Sequence, residues 1–97
     1  MKQLDITLRA QRDLADIADN SYNEFGPHVA TDYLRGLRAT FVLLLEFPEI
    51  GGVFEGVRPM VRLKIYRSHR IFYRVTKTDI IIVRILHKAR DASVLLN

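Results

Sequence analysis

With 97 residues, 48% of them hydrophobic, the chain is sized for one core, and residues 1–97 are expected to form a single domain. It has no cysteine, which excludes disulfides, thiolate metal sites and cysteine nucleophiles. The net charge of +4 is unevenly spread: residues 1–50 carry five Lys/Arg against eight Asp/Glu, and residues 51–97 carry ten against three.

The basic second half points to an anionic partner, either nucleic acid or an acidic protein segment, or else to a solvated face. The N-terminus lacks the apolar run of a signal peptide, and the longest apolar stretches, Phe41–Leu45 and Ile80–Val83, are too short to span a bilayer. A cytoplasmic protein with no membrane contact is expected.

In chain order, Leu4 and Ile6 alternate with polar residues and predict a short strand. Thr7 offers a hydroxyl cap for a helix starting near Leu8. Ala10, Leu14, Ile17, Ala18, Tyr22 and Phe25 make its apolar stripe, with Asp13, Asp16 and Asp19 off it and read as a charged solvent face. Phe25-Gly26-Pro27 breaks the helix and starts another, whose stripe runs Ala30, Tyr33, Leu34, Leu37, Phe41, Leu44 and Leu45. Tyr33 and Phe41 read as core. Pro48 sets the end of this helix near Phe47.

Ile50-Gly51-Gly52-Val53 reads as a loop, too short to cradle a phosphate. The period then changes to two. Val61, Leu63 and Ile65 alternate with Arg62, Lys64 and Tyr66, and Ile71, Tyr73 and Val75 alternate with Arg70, Phe72 and Arg74. Ile80–Leu86 is almost wholly apolar, as a central strand buried on both faces should be, with Arg84 interrupting it. Lys88–Asn97 is a short tail, helical from Asp91 onward. The order β-α-α-β-β-β predicts an α+β fold, a helical hairpin on a mostly antiparallel sheet.

Two groups carry chemistry. If Val61, Leu63 and Ile65 face the helices, Arg62 and Lys64 face away, and Arg70, Arg74 and Arg84 join them on a basic sheet face that is either a phosphate clamp or ordinary wet surface. His87 closes the last strand beside Lys88 and Arg90, as a general acid or base or as a strand-end hydrogen-bonding group. His28 at a helix start and His69 in a turn have no metal-ligand spacing to it, so neither metal nor cofactor is expected.

These segments together resemble the ParE branch of the RelE/ParE toxin superfamily. The pattern comprises Ala10-x-x-Asp13-Leu14-x-x-Ile17, Phe25-Gly26 with Ala30-x-x-Tyr33-x-x-x-Leu37, and Pro48-x-x-Gly51. It continues with Arg70-Ile71-Phe72-Tyr73-Arg74-Val75, and with Arg84-Ile85-Leu86-His87 followed by Arg90-Asp91. The resemblance implies a toxin of a type II toxin–antitoxin pair that poisons DNA gyrase. It also implies a ParD-like antitoxin and contact with operator DNA only through that antitoxin.

The expected antitoxin surface is a groove of Leu34, Leu37, Phe41 and Leu45 with Arg62, Lys64, Arg70, Arg74, Arg84 and Arg90 around it. The alternative is a RelE-like ribosome-dependent mRNA endonuclease, in which Arg62, Lys64, Arg70, His87 and Arg90 would serve as the catalytic set. The tail lacks the tyrosine that the RelE pattern would add, and the gyrase reading, with no catalytic residue, is the one expected.

Overall fold

The computed structural model describes residues 1–96. Strand β1 (Gln3–Ile6) leads into helix α1 (Leu8–Phe25), which folds back as α2 (Pro27–Glu46). Strands β2 (Gly52–Phe54), β3 (Val61–Tyr66), β4 (His69–Val75) and β5 (Asp79–His87) follow, then a short helix α3 (Ala92–Leu96). The expected helical tail runs to Asn97, which lies outside the described residues. No helix among the described residues is long and apolar enough to cross a membrane.

Local chemistry sets the boundaries. The Thr7 hydroxyl accepts from the Ala10 amide at 3.1 Å, capping α1, and donates to the Val83 carbonyl at 3.0 Å, tying that cap to β5. Gly26 joins the helices at φ 88°, a conformation that excludes most side chains, and Pro27 opens α2 where no amide is needed. Helix α2 stops at Glu46 with Phe47 as its cap, one residue before Pro48.

The sheet order is β1-β5-β4-β3-β2, with β1 parallel to β5 and the other pairs antiparallel. Strand β2 lies where a loop was expected. Three residues are too few to show alternation, and the glycines signal a turn, yet Gly52–Phe54 pair with Leu63–Val61 at the sheet edge. The reversal before this edge is pinned by Tyr73. Its hydroxyl donates to the Pro48 carbonyl at 2.8 Å and accepts from the Gly51 amide at 2.9 Å. A Cβ on Gly51 would stand 2.6 Å from the Leu63 carbonyl oxygen, so only glycine fits.

Both sheet faces are covered. On the hairpin side Ala10, Ile17, Leu37, Phe41 and Leu44 pack on Ile71, Tyr73, Ile80, Ile82 and Ile85. On the far side Val57, Val61, Phe72, Leu86 and Ala92 form a second cluster, closed by Leu95 and Leu96 of α3. This reverses the expected orientation of β3. Arg62 pairs with Tyr73 and Lys64 with Ile71, so both cations share the hairpin face, while Val61 and Leu63 face the far cluster. Alternation was read correctly; the side was not, because both faces bury apolar residues.

Arg84 is not on an open basic face. The register shifts between Phe72, opposite Arg84, and Tyr73, opposite Ile82, so Val83 is the extra residue of a bulge. At this bulge Arg84 Nε and Nη2 donate to the two oxygens of Asp13 on α1 at 2.8 and 2.9 Å. Asp13 also accepts from the Ile85 amide at 2.9 Å. The two side chains are 9% and 11% exposed, and the carboxylate holds the guanidinium above its ordinary pKa. Asp13 therefore does not belong to a solvent face.

Removing one member of a buried, forked pair leaves the other charge uncompensated. Asp13→Ala is expected to lower unfolding free energy by about 3–5 kcal/mol in urea titrations. Leu37 and Phe41, 0% and 1% exposed, belong to the core. Leu37→Ala is therefore expected to cost about 2–5 kcal/mol in the free protein.

Candidate functional site

Three surfaces hold the residues singled out from the sequence. The first is a groove of about 580 Å³ between β1 and the hairpin, walled by Leu4, Ile6, Leu14, Leu34 and Val42 with Arg38 at its side. Leu34 is half-buried here, whereas Phe41 forms only its floor and Leu37 does not reach it. The groove thus has a different lining from the one expected: the exposed apolar groups come from β1 and from Val42, which is 54% exposed.

The second is the sheet itself. The expected basic face is divided. Arg62 and Lys64 share the hairpin face, and Arg62 Nη1 donates to the Gly51 carbonyl at 2.8 Å. Arg70 and Arg74 lie on the far face with Phe72, whose ring carries the Arg70 guanidinium at 5.4 Å from its centroid. Arg70 Nη2 donates to the Arg90 carbonyl, and Arg90 is exposed beyond β5. The five residues of the ribonuclease alternative therefore do not converge: Arg62 and Lys64 are separated from Arg70 by the thickness of the sheet.

The third surface is a cleft of about 830 Å³ where the hairpin tip meets the ends of β4 and β5, lined by Glu24, Phe25, Tyr33, Ser68, His69 and His87. His69 begins β4 rather than sitting in a turn, and the register sets it directly opposite His87. The rings meet edge to face, 5.4 Å between centroids.

Tyr33 is not purely core. Its oxygen accepts from the Ser68 amide at 3.3 Å, so its proton goes to His69 Nδ1, 2.7 Å away. The His69 proton is thereby placed on Nε2. Ala89 donates its amide to His87 Nδ1 at 3.1 Å, which puts the His87 proton on Nε2 as well. Neither Nε2 offers a lone pair to a metal in this tautomer. Among the described residues, no three of His, Asp and Glu stand where they could share one.

Sequence reasoning missed Asp13 and the Tyr33–His69 contact. The first had a signal: Arg84 is the lone charge in Ile80–Leu86, and a buried strand charge calls for a counter-ion. The second had none, because it depends on the register of β4 against β5.

Burial lowers the pKa of His69, His87 adds to the shift, and Asp13 opposes it. The unfolded chain, with the ordinary value of 6.5, takes up this proton first. Stability from this site is therefore complete above the unfolded value and is lost as pH falls through the lower folded value. Urea midpoints measured from about pH 7.5 to about pH 5 should fall more for the wild type than for His69→Gln, with equal slopes above the ordinary histidine value.

The family model for the ParE toxin of the type II toxin–antitoxin system parDE matches residues 4–92. Toxin ParE1 of Caulobacter vibrioides is 37% identical over 92 residues, 95% of each chain. Toxin ParE1 of Mycobacterium tuberculosis is 37% identical over 83 residues, 84% of this chain and 85% of the relative. A solved structure, the chromosomal ParDE TA system from P. aeruginosa, superposes with a TM-score of 0.77 at 26% identity, covering 90% of this chain and 96% of that one. With nearly its whole length matched and the helical hairpin, parallel β1–β5 pair and antiparallel sheet in place, the chain belongs to the ParE toxin family of type II toxin–antitoxin systems.

Proposed function

We propose that this protein is the toxin of a type II pair, that it inhibits DNA gyrase, and that a ParD-like antitoxin neutralises it. The observation that carries the reading is the family match across residues 4–92. Its structural neighbour is described as a ParDE system.

The nuclease alternative loses support from the geometry. In-line cleavage of a phosphodiester needs cations and a proton-transfer group around one phosphate. Here the cations are split between two faces, and His87 holds its Nδ1 against the Ala89 amide. Gyrase inhibition needs no such constellation, only a stable surface.

The apolar groove between β1 and the hairpin suits the apolar face of an amphipathic antitoxin segment. Leu34 and Arg38 at the groove supply contacts on the toxin side, and Arg62 and Lys64, on β3 three strands from β1, are reached by a segment that continues past the hairpin. Arg70, Arg74 and Arg90 lie on the far face or beyond it, and a segment reaching them passes around the sheet. Arg84 is committed to Asp13 and Leu37 to the core, so neither contributes directly.

The purified protein is expected to block gyrase supercoiling and accumulate cleaved DNA, and to leave ribosome-bound mRNA intact. Codon-specific cleavage with gyrase unaffected would reverse this assignment. In binding kinetics with the ParD-like partner, Leu34→Ala should raise the off-rate with little change in the on-rate. Added salt should chiefly slow association.

A further inference from the structure

One end of the sheet gathers cations that neither the groove nor the buried pair uses. The turn between β3 and β4 lies beside the segment after β5, joined by the Lys88 amide donating to the Ser68 carbonyl at 2.9 Å. Arg90 folds back with its amide on the His87 carbonyl at 2.9 Å. Arg67 stands on the turn at φ 49° with its guanidinium 5.7 Å from the Tyr66 ring centroid. Arg67, Lys88 and Arg90 are exposed, and Arg70 lies behind them, tied to the Arg90 carbonyl.

None of these four forms an ion pair with another described residue. Among the described residues the ion pairs are Arg35–Asp32 and Arg84–Asp13. The neighbouring acid, Asp91, is engaged through Oδ1 with the amide and hydroxyl of Ser93, capping α3, although its charge is still felt by Arg70.

The type of partner follows from what surrounds the charges. Protein interfaces are anchored by large apolar groups at their centre. Here Phe25 and Val29 of the hairpin tip line the cleft that also holds Ser68 and His87, so they border the cationic end on one side, and Ile65 and Val94 flank it singly; Leu4, Leu8 and Val42 are exposed elsewhere, on β1 and the hairpin. A surface of exposed Arg and Lys on two adjoining turns, with its apolar neighbours at the border rather than among the charges, suits a regularly spaced polyanion held through its phosphates.

We propose that Arg67, Lys88 and Arg90, backed by Arg70, form a contact surface for the backbone of duplex DNA. Resting on the gyrase reading, this would let the toxin grip the DNA that the enzyme holds as well as the enzyme itself. Contact of this kind carries no sequence preference.

The test is fluorescence anisotropy of a short labelled duplex with the free protein, without gyrase, between about 50 and 200 mM salt. Three or four phosphate contacts predict a log–log salt slope of about −3. The triple variant Arg67→Gln/Lys88→Gln/Arg90→Gln should flatten that slope by about 1 per cation removed. The control Arg9→Gln/Arg12→Gln/Lys77→Gln removes equal charge from α1 and the opposite end of the sheet, and should keep the slope.

If the triple variant melts early, Arg90→Glu alone carries the test, since the Arg90 backbone carbonyl that meets Arg70 is unchanged. No salt-dependent binding, or equal loss in both triple variants, would overturn the proposal. So would retention of duplex binding by the first triple variant together with loss of binding to a polyglutamate peptide, which would assign the surface to an acidic protein segment. Because gyrase is absent from the binding assay, a wild-type protein that inhibits gyrase yet binds no duplex removes the DNA surface alone. A wild-type protein that binds the duplex yet does not inhibit gyrase removes the gyrase reading alone.

Discussion

The Asp13 carboxylate is the point on which the architecture turns. It receives three donors, two from Arg84 and one from the Ile85 amide, all from the bulged part of β5. Strand β1 ends at Ile6, so this edge of β5 has no partner strand beyond Ile82. The Thr7 hydroxyl reaches the Val83 carbonyl and Asp13 reaches the next two residues, so the first turns of α1 take over where β1 stops. Helix α1 is thereby fixed in height and rotation against the sheet, and α2 follows through Gly26. A charge pair in a buried position contributes little net stability over an apolar substitute. What it supplies is a fixed register between the hairpin and the strand that leads to the cationic end.

That register separates three surfaces with different chemistry. Apolar groups gather along β1 and the hairpin, the Tyr33–His69–His87 array stands where hairpin tip and sheet meet, and exposed cations occupy the neighbouring turns. The covered far face of the sheet, with α3 over Phe72 and Leu86, makes this possible. With cores on both sides, a small domain exposes only sheet ends, edges and helix backs, and its distinct surfaces fall there.

Much of the architecture could be read in advance, for identifiable reasons. The stripes of α1 and α2 are long and bounded by Thr7, Gly26 and Pro48, which carry their own stereochemistry. The apolar run of β5 announced its interior position. Strand β2 was hidden because three residues show no period, and the facing of β3 because alternation fixes which residues share a side without saying which side is inward. The site was less legible. Leu37 and Phe41 sit on the same stripe as Leu34, and only the arrangement of β4 and β5 beneath α2 decides which are sealed. His69 and His87, eighteen positions apart, become neighbours through strand register alone.

The pairing of β1 with β5 has a consequence for synthesis. Residues 3–6 hydrogen-bond to residues 79–82, so the first strand has nowhere to dock until most of the chain has been made. The hairpin meanwhile shows Leu37, Phe41 and Leu44 to solvent, since Ile71, Ile80 and Ile82, which cover them, come later. Contacts so distant in sequence make folding slow and leave a sticky intermediate on the ribosome. The protein's surfaces assemble together only once β5 has been made, and a message interrupted before residue 84 yields a fragment that lacks Arg84, His87, Lys88 and Arg90.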